Sequence, residues 1–220
     1  MTPATSRVQK TAARREAIID AALDEFTEKG FAAARMDEIA RRAGVAKGTI
    51  YLNFSDKEAL FEAIVRQEIT PLVDAVSSAS DSDEPFRGIV TQHLLPIIRD
   101  LANSRRGSVV RLLIAETGRF PKLAEVYYRM VVEPGLGAIG KLAHRAHMRG
   151  ELRSDALAQF PQLFIAPGIL AIVWTRLFER FRHLDIEHMA SAYFDQFFSP
   201  TDEFVGPPQR NSHTNRRRRT

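Results

Sequence analysis

Hydrophobic residues recur at helical spacing along most of the chain. In residues 11–29, Ile18, Ala22 and Phe26 fall on one face, which predicts an amphipathic helix. Gly30 follows this stretch, and glycine commonly ends a helix because it tolerates positive φ. We therefore expect the first helix to stop there.

The apolar positions that follow predict two short helices and then a long one. The short helices fall at about residues 36–43 and 46–53, with Gly44 between them. The long helix begins at about residue 56. Ser55 is expected to cap it, because its hydroxyl can accept a hydrogen bond from a backbone N–H in the first turn.

The rest of the chain also shows helical periodicity, and no segment alternates in the manner of a strand between hairpin turns. Five further helices are predicted at about residues 86–102, 106–117, 121–149, 155–181 and 185–198. The most apolar stretch, residues 163–174, is shorter than the roughly 20 residues of a membrane span, so we interpret it as a buried helix. The fold class is all-α.

These elements divide the chain into four parts. They are a basic N-terminal arm (1–11), a helical domain with a helix-turn-helix at about 35–54 (12–72), a helical-bundle domain (73–198) and a polar tail ending in Arg216–Arg219 (199–220). Because the tail is polar and rich in proline and arginine, we expect it to be disordered.

The net charge of +4 comes from the two ends of the chain. Residues 1–15 contain four basic and no acidic residues, and residues 199–220 contain five arginines against two acidic residues. A basic arm is compatible with contact to nucleic acid, although it serves solubility equally well.

Several kinds of chemistry find little support in the sequence. The chain has no cysteine, which excludes disulfides and thiolate nucleophiles, and no catalytic motif is evident. Two groups of residues include histidines: His144, His147 and Glu151, and His183, Asp185, Glu187 and His188. Neither spacing establishes the three or four converging ligands that zinc needs, so we predict no metal, no cofactor and no enzyme activity.

The segment from Met36 to Phe54 has the proportions of a helix-turn-helix, in which the second helix enters the major groove of DNA. Gly44 supplies the positive φ of the turn, and Ala40 and Ile50 are small or apolar where the helices cross. The outer face of the second helix carries hydrogen-bonding side chains and Gly48.

Three stretches resemble the TetR/AcrR family of one-component transcriptional repressors. They are GFAA at 30–33, DEIA at 37–40 and AGVAKGTIYLNFSDKEAL at 43–60, and the similarity covers about residues 12–70. A later stretch, LLIAETGRFP at 112–121, resembles the AefR-like branch. The resemblance implies an all-helical homodimer with an N-terminal DNA-binding domain and a C-terminal ligand and dimer domain.

The resemblance also implies contacts to DNA. The residues concerned are Arg35, Lys47, Gly48, Thr49, Tyr51, Asn53 and Lys57. Lys47 and Asn53 suit guanine and adenine edges respectively, and Gly48 would let the helix approach the groove closely. Thr49 would lie at a phosphate or a base edge.

Phosphate contacts are implied for Tyr51, Lys57 and Arg35. Lys57 opposes the helix dipole in its first turn, and a bound phosphate would remove that conflict. A core position is the alternative for Tyr51. Ala34 and Arg35 replace the usual Ser or Thr, so we expect the second helix to lack a side-chain cap.

A ligand cavity between the C-terminal helices is a further expectation. Its candidate lining residues are Gln92, His93, Glu116, Tyr127, Met130, Phe164 and Trp174, although an ordinary core position is the commoner role of such residues. Gln92, His93 and Glu116 are polar within apolar stretches, and a buried polar group requires a partner. Helices 155–181 and 185–198 are expected to form the dimer interface.

Together these features predict a cytoplasmic, ligand-responsive repressor. It would bind a palindromic operator in double-stranded DNA as a homodimer and leave it when a small molecule binds the C-terminal domain. Two alternatives stay open: a helical carrier of apolar small molecules that does not bind DNA, and an enzyme using histidine or glutamate residues of the C-terminal domain.

Overall fold

The structure is a computed structural model that describes residues 3–200, with side chains from Gln9 onward. Four helices form the N-terminal part: α1 Pro3–Ala33, α2 Met36–Arg42, α3 Lys47–Asn53 and α4 Lys57–Glu68. Helix α1 therefore begins well before residue 11, and it is kinked at Gly30. We call α1–α4 the head.

The remaining helices form the body. They are α5 Thr70–Ser80, α6 Phe86–Ile89, α7 Leu95–Leu101, α8 Arg105–Glu116, α9 Pro121–Tyr127, α10 Glu133–Met148, α11 Ala156–Gln159, α12 Ala166–Leu177 and α13 Ile186–Asp195. Apart from an isolated bridge between Leu152 and Phe198, residues 3–200 contain no β-structure. The all-α prediction is confirmed.

The start of α4 differs by one residue from the predicted cap. The carboxylate of Asp56, rather than the hydroxyl of Ser55, accepts from the N–H of Ala59 at 2.8 Å. Ser55 instead donates to Asp56 at 3.0 Å. An anionic acceptor is favoured at the positive end of a helix, so the prediction of Ser55 as the cap was wrong.

Proline residues interrupt two of the helices that the periodicity predicted; a kink or helix end was expected at Pro71 but not at Pro161. Pro71 lies in the first turn of α5, so the helix starting near residue 56 ends at Ile69 and a new one begins. Similarly, the predicted helix 155–181 is interrupted where Pro161 follows α11. The residue before a proline is sterically hindered from adopting helical backbone angles. The helix therefore breaks between α11 and the 3-10 turn Pro161–Ile165, which leads into α12.

A π-helical turn, Val90–Leu94, joins α6 to α7 and changes which residues are buried. In an uninterrupted α-helix, a residue three or four positions after Ile89 and Val90 would face the core. The extra residue of the π turn moves the next core-facing position to Leu95, five residues after Val90. Val90 and Leu95 are both buried. A second π turn, Tyr128–Val132, joins α9 to α10.

Two hydrophobic cores hold the molecule together. The first unites the head with α8 and α9, and its largest members are Phe26, Phe31, Phe61, Leu60 and Ile50. The second fills the body, with Phe86, Ile98, Leu142, Phe164 and Phe194 among its members. The head therefore packs on part of the body through a shared apolar interior.

None of the helices within residues 3–200 has both the length and the apolar content needed to cross a membrane. Of the predicted basic tail, only Ser199 and Pro200 belong to the described part of the chain. The arginines at 216–219, like the side chain of Arg7, lie outside it.

Candidate nucleic-acid interface and ligand cleft

The turn between α2 and α3 has the geometry that the sequence predicted. Gly44 adopts φ +66°, and the N–H of Val45 donates to the carbonyl of Ala40 at 3.0 Å, which closes the turn. Ile39, Ala40 and Ile50 are buried where the two helices cross. Burial of one face of α3 fixes which face points outward.

The outward face of α3 is open to solvent. Lys47, Gly48, Leu52 and Asn53 are exposed. Tyr51 is 48% exposed, which argues against the core alternative for this side chain. A helix that keeps polar and aromatic side chains outside the protein in this way can be inserted into a groove of DNA.

Leu52 was missing from the candidate set, although it is the most exposed of the large hydrophobic residues described, at 88%. The sequence contained a signal that could have identified it. Leu52 lies next to Tyr51 in a seven-residue helix whose apolar face is already occupied by Ile50. An exposed leucine at this position can contact the methyl group of thymine.

Two of the candidate base contacts have partners within the chain. Lys47 Nζ lies 3.0 Å from Asp37 Oδ2, and Asn53 Nδ2 donates to the carbonyl of Thr49 at 2.8 Å. Both side chains are exposed, so DNA would compete with weak surface interactions. Thr49 is half-buried, and its backbone N–H donates to Ala46 at the start of α3.

Lys57 has a different environment from the one that the resemblance implies. Its ammonium donates to the carbonyls of Phe31 at 2.6 Å and Ala32 at 3.0 Å, and lies 4.9 Å from the centre of the Phe31 ring. These carbonyls belong to the last turn of α1, the negative end of that helix. One of the three N–H donors of Lys57 remains for a phosphate.

The start of α2 lacks a side-chain cap, as expected from Arg35 at this position. Asp37 and Glu38 lie in the first turn, where their charges complement the helix dipole. Arg35 is largely exposed, and its nearest ion-pair partner, Asp37, lies 4.0 Å away. The guanidinium is therefore accessible to a phosphate.

Ion pairs on the other side of the head fix α2 against α1. Arg42 contacts Glu28 at 2.5 Å and Glu25 at 3.5 Å, and Lys29 contacts Glu25 at 2.8 Å. The hydrogen bond to Glu28 raises the pKa of Arg42 above its usual range. The helix-turn-helix is thus held in a defined orientation on its supporting helix.

The seven predicted ligand-binding residues do not line one cavity. Gln92 and His93 are exposed, which contradicts the expectation that they are buried polar groups. The π turn at Val90–Leu94 is the physical reason, because it moves the core position past them. His93 instead lies 3.5 Å from Glu84.

The aromatic candidates and Met130 belong to separate regions. Tyr127 and Met130 pack against the first core, and burial raises the pKa of Tyr127 to about 12. Phe164 is enclosed by Phe86 and Phe194 in the second core. Trp174 lies on α12, where its Nε1 donates to the carbonyl of Arg182 at 2.9 Å.

Glu116 lies in a cleft between α1, α8 and α12. Its Oε1 accepts from the N–H of Phe31 at 3.1 Å, directly after the kink at Gly30. Glu116 therefore joins the body to the same residue of the head whose carbonyl binds Lys57. This junction was not predicted, since residues 31 and 116 meet only in the folded chain.

The histidine groups do not form a metal centre in the described residues, where no three His, Cys, Asp or Glu side chains converge. Glu151 instead accepts from the N–H of Phe86 at 2.6 Å, and Asp185 caps α13 by accepting from the N–H of His188 at 3.0 Å. His183 contacts Glu179. These acidic residues thus have structural roles at helix ends.

Comparisons with known proteins agree with this geometry. The family model "Bacterial regulatory proteins, tetR family" matches residues 18–64, and the model "Tetracyclin repressor-like, C-terminal domain" matches residues 84–193. The uncharacterized HTH-type transcriptional regulator YdeS of Bacillus subtilis is 36% identical over 143 residues, covering 64% of this chain and 68% of YdeS.

Two further relatives extend the comparison. The HTH-type transcriptional repressor BepR of Brucella suis is 29% identical over 170 residues, covering 76% of this chain and 73% of BepR. The structure of the transcriptional regulator FadR of Bacillus subtilis in complex with stearoyl-CoA has a TM-score of 0.63 at 19% identity, covering 82% of this chain and 95% of FadR. At that identity the structural likeness establishes the fold alone.

The helix-turn-helix on a helical body thus defines a DNA-binding transcriptional regulator. More specifically, the chain belongs to the TetR family, whose members respond to ligands and are regulators rather than enzymes. The predicted family is confirmed, and the carrier and enzyme alternatives are overturned. The resemblance of residues 112–121 to the AefR-like branch stays a prediction.

Proposed function

We propose that the chain is a repressor that binds a palindromic operator as a homodimer and is released by a small-molecule effector. The observation that carries this proposal is the solvent-exposed outward face of α3, which the protein does not cover with its own interior. The repressor role is supported by the similarity to BepR. A cytoplasmic location and the division into domains 12–72 and 73–198 belong to the same proposal.

The surface of α12 supports the homodimer. Ile165, Ile169, Leu170 and Phe178 are exposed large hydrophobic residues on or next to this helix. Several large apolar side chains exposed on one helix are typical of a protein–protein interface. A two-fold interface would present two α3 helices to successive major grooves of a palindrome.

The proposed contacts to DNA fall into two groups. Arg35, Tyr51 and the free donor of Lys57 would bind phosphates, which position the protein without reading sequence. Lys47, Asn53 and Leu52 would contact base edges, with Leu52 on a thymine methyl group. Thr49 would lie at a phosphate or a base edge, and Gly48 would let α3 approach the DNA groove closely.

The effector site is proposed in the body, where Glu116 connects the cleft to the head. A ligand that prefers one arrangement of head and body by about 1–3 kcal/mol would change operator affinity by roughly 5–150-fold. The direct contact between Glu116 and Phe31 supports transmission of such a preference across the junction. Gln92 and His93 are not part of this proposed site.

Selection of binding sites from random DNA tests the proposal. We expect a palindrome whose half-site centres lie about 34–36 Å apart or a multiple of that distance. Asn53→Ala should change the preferred base at one position of each half-site, whereas Tyr51→Phe should weaken binding to all sequences alike, as measured by anisotropy titration of labelled DNA. Binding of a monomer to a single non-palindromic half-site would contradict the proposal.

The contact of Leu52 has its own chemical test on the selected operator. Replacing one thymine by uracil removes only the C5-methyl group. For the original chain, uracil at one thymine position of each half-site should lower the affinity for DNA. For Leu52→Ala, the same replacement should leave the affinity unchanged. An equal loss for both proteins would remove Leu52 from the contact set.

A further inference from the structure

The cleft beside Glu116 has a volume of about 850 Å³. This lies within the roughly 300–1,000 Å³ that small-molecule sites occupy. Its apolar walls come from three helices: Phe26 of α1, Leu112 and Ile114 of α8, and Ile172 and Leu177 of α12. It therefore lies between head and body, outside the second core.

Two arginines line this cleft. Arg111 on α8 is half-buried, and its guanidinium donates to the carbonyl of Ala102 at 2.5 Å and to Ser108 Oγ at 2.7 Å. Since a guanidinium has five N–H donors, three remain. Arg176 on α12 is the second arginine, and it is exposed.

Neither arginine has an ion-pair partner among the described residues. Burial, followed by the positive charge of Arg176, lowers the pKa of Arg111 below its usual value. Two neighbouring cations that lack an ion-pair partner repel each other, and an anion bound between them would relieve the repulsion.

The cleft also contains one acidic residue, which limits where an anion can lie. Glu116 is five residues after Arg111, about 7.5 Å further along the axis of α8, and it accepts from the N–H of Phe31. A negatively charged group is therefore favoured at the Arg111 end of the cleft and disfavoured at the Glu116 end.

We propose that this cleft binds a small amphipathic anion. One carboxylate or sulfonate group would lie between Arg111 and Arg176, and an apolar body would pack along the accessible side chains of Ile114, Val173 and Leu177. A ligand in this position would touch both the head and the body at the Gly30–Glu116 junction. Its role as the effector rests on the proposed function, whereas its binding does not.

A pair of fluorescent probes tests the site in the full chain. The probes are 8-anilinonaphthalene-1-sulfonate and N-phenyl-1-naphthylamine, which share the apolar body and differ in the sulfonate. Arg111→Gln should weaken binding of the sulfonate probe at least about fivefold and leave the uncharged probe within about twofold, because a charge-assisted hydrogen bond contributes about 1.5–3 kcal/mol. Arg176→Gln should act in the same direction.

Arg129→Gln is the matched control, since Arg129 is exposed on the turn Tyr128–Val132, outside the cleft. It removes the same charge and should change neither titration. Should Arg111→Gln lose its helical circular dichroism, Arg176→Gln decides alone. The proposal is overturned when the sulfonate probe binds both cleft variants as tightly as it binds the control.

The relation to DNA is measured separately, on labelled operator with and without the sulfonate probe. Absence of any operator binding would defeat the proposed function and leave the probe titrations valid. Probe binding that depends on Arg111 and Arg176 but leaves operator affinity unchanged would establish the cleft and overturn its role as an effector site.

Discussion

Lys57 is the residue whose structural role departs most from the role implied by its sequence context. A cation in the first turn of a helix is unfavourable beside the positive end of the helix dipole. Here the carbonyls of Phe31 and Ala32 provide the compensating negative charge, and the ammonium also lies over the Phe31 ring. Lys57 therefore joins α4 to the end of α1 whether or not DNA is bound.

Because of this geometry, substitutions of Lys57 and Tyr51 should have different effects on the stability of the fold. Lys57→Met should lower the free energy of unfolding by about 1–3 kcal/mol, because the part-buried carbonyl of Phe31 and the exposed carbonyl of Ala32 lose a charged donor. Tyr51→Phe should leave stability within about 0.5 kcal/mol, since the ring is half-exposed. Urea denaturation measures both. Equal stability of the two variants would show that the contacts of Lys57 contribute little.

At the level of single residues, the sequence predicted which side chains of α3 face outward but not their partners. The positions of Lys47, Tyr51 and Asn53 follow from helical periodicity, which is local. The ion pair of Lys47 with Asp37 and the contact of Glu116 with Phe31 depend on tertiary packing. Periodicity contains no information on such contacts.

The kink in α1 is the feature that connects local conformation to the junction between head and body. Gly30 adopts φ +77° and ψ 158°, a conformation that is nearly restricted to glycine. A Cβ atom at this position would lie 2.7 Å from Glu116 Oε1. The kink also presents the N–H of Phe31 to that carboxylate.

Gly30→Ala should therefore lower the free energy of unfolding by about 1–3 kcal/mol through backbone strain and the clash with Glu116. In Gly30→Ala/Glu116→Ala the combined loss should be smaller than the sum of the single losses, because the clash is absent. The measurement is urea denaturation of the three variants.

Gly48→Ala is the control for this prediction. Gly48 lies in α3 with open space around it, so alanine should raise stability by about 0.5–1 kcal/mol while reducing access of the helix to DNA. Additive losses in the double variant would contradict the proposed contact between a side chain at position 30 and Glu116.

At the level of elements, the sequence predicted that helices would form in these segments. It did not predict all the points at which those helices are interrupted. The body helices near residues 106–117 and 185–198 are present with small changes at their ends. The π turn at Val90–Leu94 inserts a single residue and removes His93 from the core; Pro96, in the first turn of α7 directly after it, was the sequence signal that periodicity did not take into account. Pro161 was visible in the sequence, but apolar residues on both sides concealed the break.

For the whole molecule, the shared core determines how the head can respond to the body. Arg105, at the start of α8, contacts Asp20 in the middle of α1 at 2.8 Å and Glu68 at the end of α4 at 2.9 Å. A change in the position of α8 would therefore move α1 and α4 together. Helices α1 and α4 are thus both linked to α8, as the proposed control through the spacing of two heads in a dimer would require.

That control requires the dimer, and α12 offers the place to test it. Leu170 is 44% exposed on α12, so Leu170→Glu would bury an unpaired carboxylate in the proposed interface. Sedimentation velocity should show a 24.8 kDa monomer for this variant and a species of twice the mass for the original chain. Affinity for the palindrome should fall about tenfold or more, because each 1.4 kcal/mol corresponds to a factor of ten.

Met148→Glu is the control. It alters a more exposed apolar residue at the end of α10 and should change neither the sedimentation nor the affinity for DNA. A dimer that persists in Leu170→Glu would place the interface on another surface, and the spacing of the two heads would then no longer follow from α12.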